Sequence, residues 1–142
     1  MRKVSDILRR KGTHIATVLP ETTVIDALRM MADQNIGSVV VMRNGVFAGI
    51  MTERDYSRKV ILKGRHSDDT TVGDIMTSDF PPVDMNTTID TCMQLMSSFK
   101  IRYLPVVNDG QLAGIVSMND VVAETILNQQ ETIHQLQNYI QS

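Results

Sequence analysis

Gly49-Ile50-Met51-Thr52-Glu53-Arg54-Asp55 returns 65 positions later as Gly114-Ile115-Val116-Ser117-Met118-Asn119-Asp120. Each stretch runs an apolar strand into a hydroxyl residue and then sets a carboxylate three residues further on, where a helix should begin. A strand feeding straight into a helix N-terminus points unpaired backbone N–H groups and the positive end of a dipole outward, which suits an anion or a polar ligand. Two such corners in one chain predict paired sites.

The stretches are the clearest part of a longer duplication. Val18 matches Val83, Thr22-Thr23 match Thr87-Thr88, Met31 matches Met96, Ile36 matches Ile101 and Gly45 matches Gly110, all at the same offset. Of the 47 positions from 15 to 61, 12 are identical to their partners, and several of the others are conservative apolar exchanges. The opening Val4-Ser5-Asp6-Ile7-Leu8 reappears as Val72-Gly73-Asp74-Ile75-Met76, now at an offset of 68. The residues Lys11-Gly12-Thr13-His14 thus have no clear equivalent before Phe80, and the two halves are not symmetric there.

Each copy reads as strand, helix, strand, turn, strand, helix. Over residues 23–35 the apolar positions Val24, Ala27, Leu28 and Met31 share one helical face, as do Ile89, Cys92, Met93 and Met96 in the second copy. Thr23 followed by Asp26 predicts a capped start. The runs 38–42 and 46–51 flank Asn44-Gly45, and 103–107 and 111–116 flank Asp109-Gly110. Both dipeptides favour positive φ at the two central turn positions, so each pair of runs predicts a hairpin. Near-continuous apolar character predicts strands covered on both faces, and Pro105 places its strand at an edge or near a bulge. The connector 63–71 is short and polar. Each copy alone is small for a stable core, so the copies are expected to pack together about a pseudo-twofold axis. The fold class is α/β (α+β): tandem β-α-β-β-α repeats over 4–63 and 72–127, with a helical extension over 128–142.

A chain of 142 residues with 42 % hydrophobic composition and a net charge of −2 reads as soluble, with no global attraction to nucleic acid or anionic membrane. No apolar run of membrane length and no leader pattern stands out, so a cytoplasmic location is expected. Cys92, the one cysteine, is expected to be a small buried side chain, and His14, His66 and His134 have no ligand-like spacing, so no metal site is expected. Met30, Met31, Met93 and Met96 read as core, and Arg9-Arg10-Lys11 as a solvated helix face. In the tail, Val122, Ile126, Ile133, Leu136 and Ile140 form a stripe opposite Gln, Glu and Asn. It packs either on its own domain or on a second subunit.

Two β-α-β-β-α copies, each with Gly-apolar-apolar-[Thr/Ser]-x-x-Asp after the second hairpin strand, resemble a tandem pair of CBS domains, the module named after cystathionine β-synthase. The likeness spans about residues 4–127. It is strongest to small bacterial CBS-pair proteins, in which Thr-Glu-Arg-Asp-Tyr-x-Arg-Lys, here Thr52 through Lys59, also recurs. The resemblance implies a non-catalytic regulatory protein that binds AMP, ATP, NAD or S-adenosylmethionine in clefts between the repeats, acts on an unidentified partner protein, and dimerises into a disc of four copies.

The corners suit such a ligand on chemical grounds. A carboxylate accepts hydrogen bonds from both hydroxyls of a ribose, which makes Asp55 and Asp120 the candidates, with Thr52 and Ser117 offering hydroxyls. Arg54 and Arg58 add positive charge at the first corner, whereas Asn119 stands where Arg54 does. By resemblance, Asp120 and Ser117 would work with Thr13, Ala16, Gly37 and Ser38. Asp55, Thr52 and Arg54 would work with Phe80, Pro81, Arg102 and Tyr103. The competing reading is that Thr52-x-x-Asp55 and Ser117-x-x-Asp120 are capping boxes serving only their own helices; the structural alternative is an association module without nucleotide binding.

Overall fold

The computed structural model describes residues 1–141. In chain order the elements are α1 (Val4–Lys11), β1 (Thr17–Val18), α2 (Val24–Gln34), β2 (Ser38–Arg43), β3 (Val46–Thr52) and α3 (Glu53–Lys59). A single 3-10 turn, Ile61–Lys63, then precedes α4 (Val72–Ile75), α5 (Ile89–Phe99), β4 (Tyr103–Asn108), β5 (Gln111–Ser117) and α6 (Met118–Gln141). This is the mixed α/β architecture that the duplication predicts.

Local chemistry accounts for most of it. Asn44-Gly45 and Asp109-Gly110 adopt φ of 52° and 75°, and of 53° and 78°, so both hairpins turn on two residues in the left-handed region. Val39, Val40 and Val41 are buried in succession, which confirms a strand covered on both faces. Thr23 Oγ1 accepts the Asp26 N–H, and Thr88 Oγ1 that of Thr91, so equivalent hydroxyls cap α2 and α5. Ala27 and Met31 on α2, and Cys92 and Met96 on α5, face their cores. Met93 does not: it is partly exposed and receives the Thr125 hydroxyl at 3.5 Å instead of joining the core.

The chain folds into two compact units that cut across the repeats. One is Ile15–Phe80; the other joins Met1–His14 to the residues from Pro81 onward. The two helices that open the sequence copies have therefore changed places. Val4 N–H donates to Thr87 O (2.9 Å) and Ile89 N–H to Arg2 O (3.1 Å), tying α1 to the start of α5. In the same way Val72 N–H donates to Thr22 O (2.8 Å) and Val24 N–H to Thr70 O (2.9 Å), tying α4 to the start of α2. Ile7 and Leu8 sit in the core with Leu104 and Val116, and Val72 and Ile75 in the core with Val39 and Met51. Burying those apolar stripes is what holds such short helices in place.

The glycine of each corner stretch is where this packing is tightest. A Cβ on Gly49 would lie 2.7 Å from Thr77 O, just after α4, and one on Gly114 would lie 2.9 Å from Leu8 Cδ2 on α1. The backbone contact at Gly49 leaves no room for a Cβ, whereas at Gly114 the Leu8 side chain would have to shift.

The sheets differ. In the first unit β1 runs parallel to β2, and β2 antiparallel to β3. In the second, β4 and β5 form a two-stranded sheet. Thr17 and Val40 pair in the first unit; their counterparts are Pro82 and Pro105, neither of which has an N–H. The bond from Val40 N–H to Ala16 O (2.9 Å) thus has no equivalent, and Val107 N–H to Val83 O (2.9 Å) holds the segment instead.

Candidate functional site

The first corner is α3 and its Thr52 cap. Thr52 Oγ1 accepts the Asp55 N–H (3.1 Å), while Asp55 Oδ2 accepts both the Thr52 N–H (3.0 Å) and the Thr52 hydroxyl (3.1 Å). The capping box that the spacing predicts is complete. Asp55 is buried, and its other oxygen, Oδ1, accepts the Thr77 hydroxyl at 3.1 Å and lies 3.0 Å from Lys59 Nζ. Lys59 also donates to Ile75 O at 2.9 Å. Both oxygens of this carboxylate are therefore engaged inside their own unit.

The second corner repeats the box and departs from it beyond. Ser117 Oγ accepts the Asp120 N–H (3.1 Å), and Asp120 Oδ2 accepts the Ser117 N–H (2.8 Å). The cation here is Lys11 from the end of α1, whose Nζ donates to the same Oδ2 at 2.7 Å. Asp120 Oδ1 has no hydrogen-bond partner among the described residues. Burial pushes the Asp120 carboxyl up, but the Lys11 ammonium and the Ser117 N–H together outweigh it and hold the group below the ordinary carboxylate range. It is an ionised acceptor with one oxygen to spare.

Arg9-Arg10-Lys11 is exposed, as expected, and each of the three also finds a carboxylate. Arg10 reaches Glu124 Oε1 at 2.7 Å and Lys11 reaches Asp120, while Arg9 pairs with Asp6 at 3.2 Å. Glu124 is fully buried and also receives Arg2 Nη1 at 2.9 Å. A buried carboxylate costs much unless it is paired, and two guanidinium groups supply the pairing. Four residues that bear on the corners are not among the site residues the sequence predicts: Lys11, Lys59, Thr77 and Glu124. Lys59 had a signal, standing four residues after Asp55 on a helix. Lys11 and Asp120 lie too far apart in the chain for any local signal.

The remaining candidates distribute between the units. Ala16, Gly37, Ser38, Arg54, Arg58 and Phe80 belong to the unit of Asp55; Thr13, Pro81, Arg102, Tyr103, Ser117 and Asn119 belong to that of Asp120. Ser38 pairs with Thr52 across the hairpin, and Glu53 N–H donates to Gly37 O at 3.3 Å. Tyr103 likewise pairs with Ser117, and Met118 N–H donates to Arg102 O at 2.8 Å. Each corner thus has the entry of its own unit's hairpin beside it. Phe80 packs edge-on against Phe47, with ring centroids 6.2 Å apart. Thr13, Arg54, Arg58, Arg102 and Asn119 are exposed, and Pro81 is buried.

Two further groups bear on possible chemistry. Cys92 is buried, and burial pushes its thiol up to about 11, so it remains a neutral core side chain at physiological pH. Among the described residues no helix is long and apolar enough to cross a membrane.

The chain is similar to known proteins. The chain is 39 % identical over 147 residues to the mitochondrial CBS domain-containing protein CBSX3 of Arabidopsis thaliana, covering 97 % of this chain and 71 % of that one. It is 32 % identical over 126 residues to the CBS domain-containing protein YhcV of Bacillus subtilis, covering 89 % of each. A solved protein with CBS domains from Burkholderia ambifaria superposes with a TM-score of 0.85 at 41 % identity, covering 89 % of this chain and 96 % of that one. The family model described as the CBS domain matches twice, at residues 4–61 and 72–126, so the chain belongs to the CBS-domain family and carries a tandem pair.

Proposed function

We propose that this chain is a non-catalytic regulatory module that binds an adenosine-containing ligand, of the class AMP, ATP, NAD or S-adenosylmethionine, and works as a homodimer. Pairs of CBS domains are generally regulatory and often bind nucleotides. The observation that carries the reading here is Asp120, an ionised carboxylate with one oxygen committed to its helix cap and to Lys11 and the other available. A ribose diol supplies the two donors such an acceptor takes, and Lys11 brings positive charge for a phosphate to a corner where the sequence shows only Asn119. Asp55 carries the equivalent role at the first corner, with Arg54 and Arg58 as the cations, once a ligand displaces Thr77 from its carboxylate. Occupancy then acts on shape or on a partner protein only through different affinities for two states.

One observation favours a second reading. Both capping boxes are complete, so both acids already have a structural task, and a purely structural association module needs nothing more from them. Isothermal titration calorimetry of the full chain with AMP, ATP, NAD and S-adenosylmethionine separates the two. Ligand binding predicts saturable heat and a thermal shift, with Asp120→Ala losing at least about tenfold in affinity at its corner. No saturable heat with any of the four leaves the structural reading.

A further inference from the structure

The apolar stripe of α6 is not covered by its own unit. Val121 and Glu124 are buried, but Ile126 is 48 %, Ile133 55 %, Leu136 57 % and Ile140 81 % exposed, and every described residue from Gln129 onward is exposed. The expectation that the stripe lies back on its own domain is therefore not met. What faces the unit is a different side of the helix. Arg2, just before α1, bonds both Glu124 and Glu131, seven residues apart on one line of the helix. Ile126, Ile133 and Ile140 follow a second line with the same repeat, and Val122, Gln129 and Leu136 a third beside it. In heptad terms the isoleucines occupy a, the third line occupies d, and the two glutamates occupy f, on the far side of the helix from the a/d seam. Arg2 thus turns the seam away from the body of the unit.

We infer that this seam is a two-stranded parallel coiled-coil interface and that its occupant is a second copy of the same helix. A strict 3.5-residue repeat fits a helical partner, since a helix packed on a globular surface shows the broader 3.6-residue stripe. The β-branched isoleucines at a, with Leu136 at one of the three d positions, suit two parallel strands. The flanking e and g positions, Ala123, Thr125, Gln130, Thr132, Gln137 and Tyr139, carry no charge, so nothing repels an identical helix and nothing selects one of opposite sign. Gln129 sets the direction. In a parallel pair it meets Gln129 of the partner subunit, amide to amide; in an antiparallel pair it would be buried against isoleucine with its hydrogen bonds unmet. The inference rests on the homodimer in the reading above and on nothing in its ligand.

Sedimentation equilibrium of the full chain tests it. Wild type should be dimeric, and Ile133→Asp with Leu136→Asp should weaken association more than about a hundredfold, since each subunit then brings two buried charges. Circular dichroism and the thermal midpoint of the units report whether the variant stays folded. Oxidation of Ile133→Cys should give a covalent dimer, and Glu131→Cys, on the far face, should not; Cys92 is buried and silent in both. A wild-type monomer overturns both the homodimer and the seam. A dimer indifferent to the two aspartates, or cross-linked equally through position 131, overturns the seam while the homodimer stands.

Discussion

The two corners are the same local structure with opposite sources of charge. In the first, the cation beside the acid comes from the same helix, Lys59 four residues after Asp55. In the second, the position equivalent to Lys59 is Glu124, and the cation arrives from α1 as Lys11. The reversal is coupled: Glu124 at that position demands Arg2 and Arg10, and α1 delivers Lys11 to Asp120 along with Arg10. Asp55 ends buried with both oxygens bonded, Asp120 half-buried with one oxygen spare. Identical turn chemistry therefore fixes where a carboxylate stands but not how much of it is left for a ligand. That is decided by what packs behind it.

The glycines of the two stretches should show the largest difference. Gly49→Ala drives a Cβ against Thr77 O, a carbonyl held by Ile50 N–H at 2.9 Å, and should cost about 3 kcal/mol in urea unfolding. Gly114→Ala meets only the end of the Leu8 side chain, which can shift rotamer, and should cost about 1 kcal/mol. Equal costs would mean that the two helix contacts are equally rigid.

Next comes the pair of acids. Each replacement removes a capping acid and a partly solvated lysine pair; Asp55→Ala also strands the Thr77 hydroxyl and should lose about 2 kcal/mol, Asp120→Ala about 1 kcal/mol. Affinity for an adenosine ligand should run the other way, with the larger loss in Asp120→Ala by calorimetry. A variant pair in which both stability and affinity follow the same order breaks the comparison.

The smallest effect is the pH dependence of the Lys11 contact. The Asp120 carboxyl is lowered in the folded state, so its contribution to stability is fully present above the ordinary carboxylate value of 3.8 and is lost as pH falls through its lower folded value. Lys11→Met should therefore destabilise the protein by less than about 1 kcal/mol at neutral pH, because the pair is partly solvated, and the gap should close in strong acid. Unfolding curves from pH 7 down to about 2.5 check the sign. A gap that widens in acid contradicts it.

Much of this was legible before any coordinates. Asn44-Gly45 and Asp109-Gly110 announced their hairpins, Thr23 its helix and Pro105 its interrupted edge. Thr52, Asp55, Ser117 and Asp120 announced both corners and both capping boxes. These signals act over a few residues, through φ preference, hydroxyl geometry and apolar period. Met93 lies outside the core its period predicts, and the exposed basic run at residues 9–11 carries ion pairs no local signal shows, for a common reason: a helical period says which residues share a face but not what that face meets.

By itself, then, the sequence determined the duplication, the elements and the placing of a carboxylate at the head of a helix in each copy, because those follow from interactions between near neighbours in the chain. Only the tertiary structure decided that α1 and α4 exchange places, that Lys11 serves Asp120, and that α6 presents its a/d seam outward. Each of these is settled by which apolar surfaces bury one another and which buried charge must find a counter-ion, and both are conditions between segments far apart in the chain.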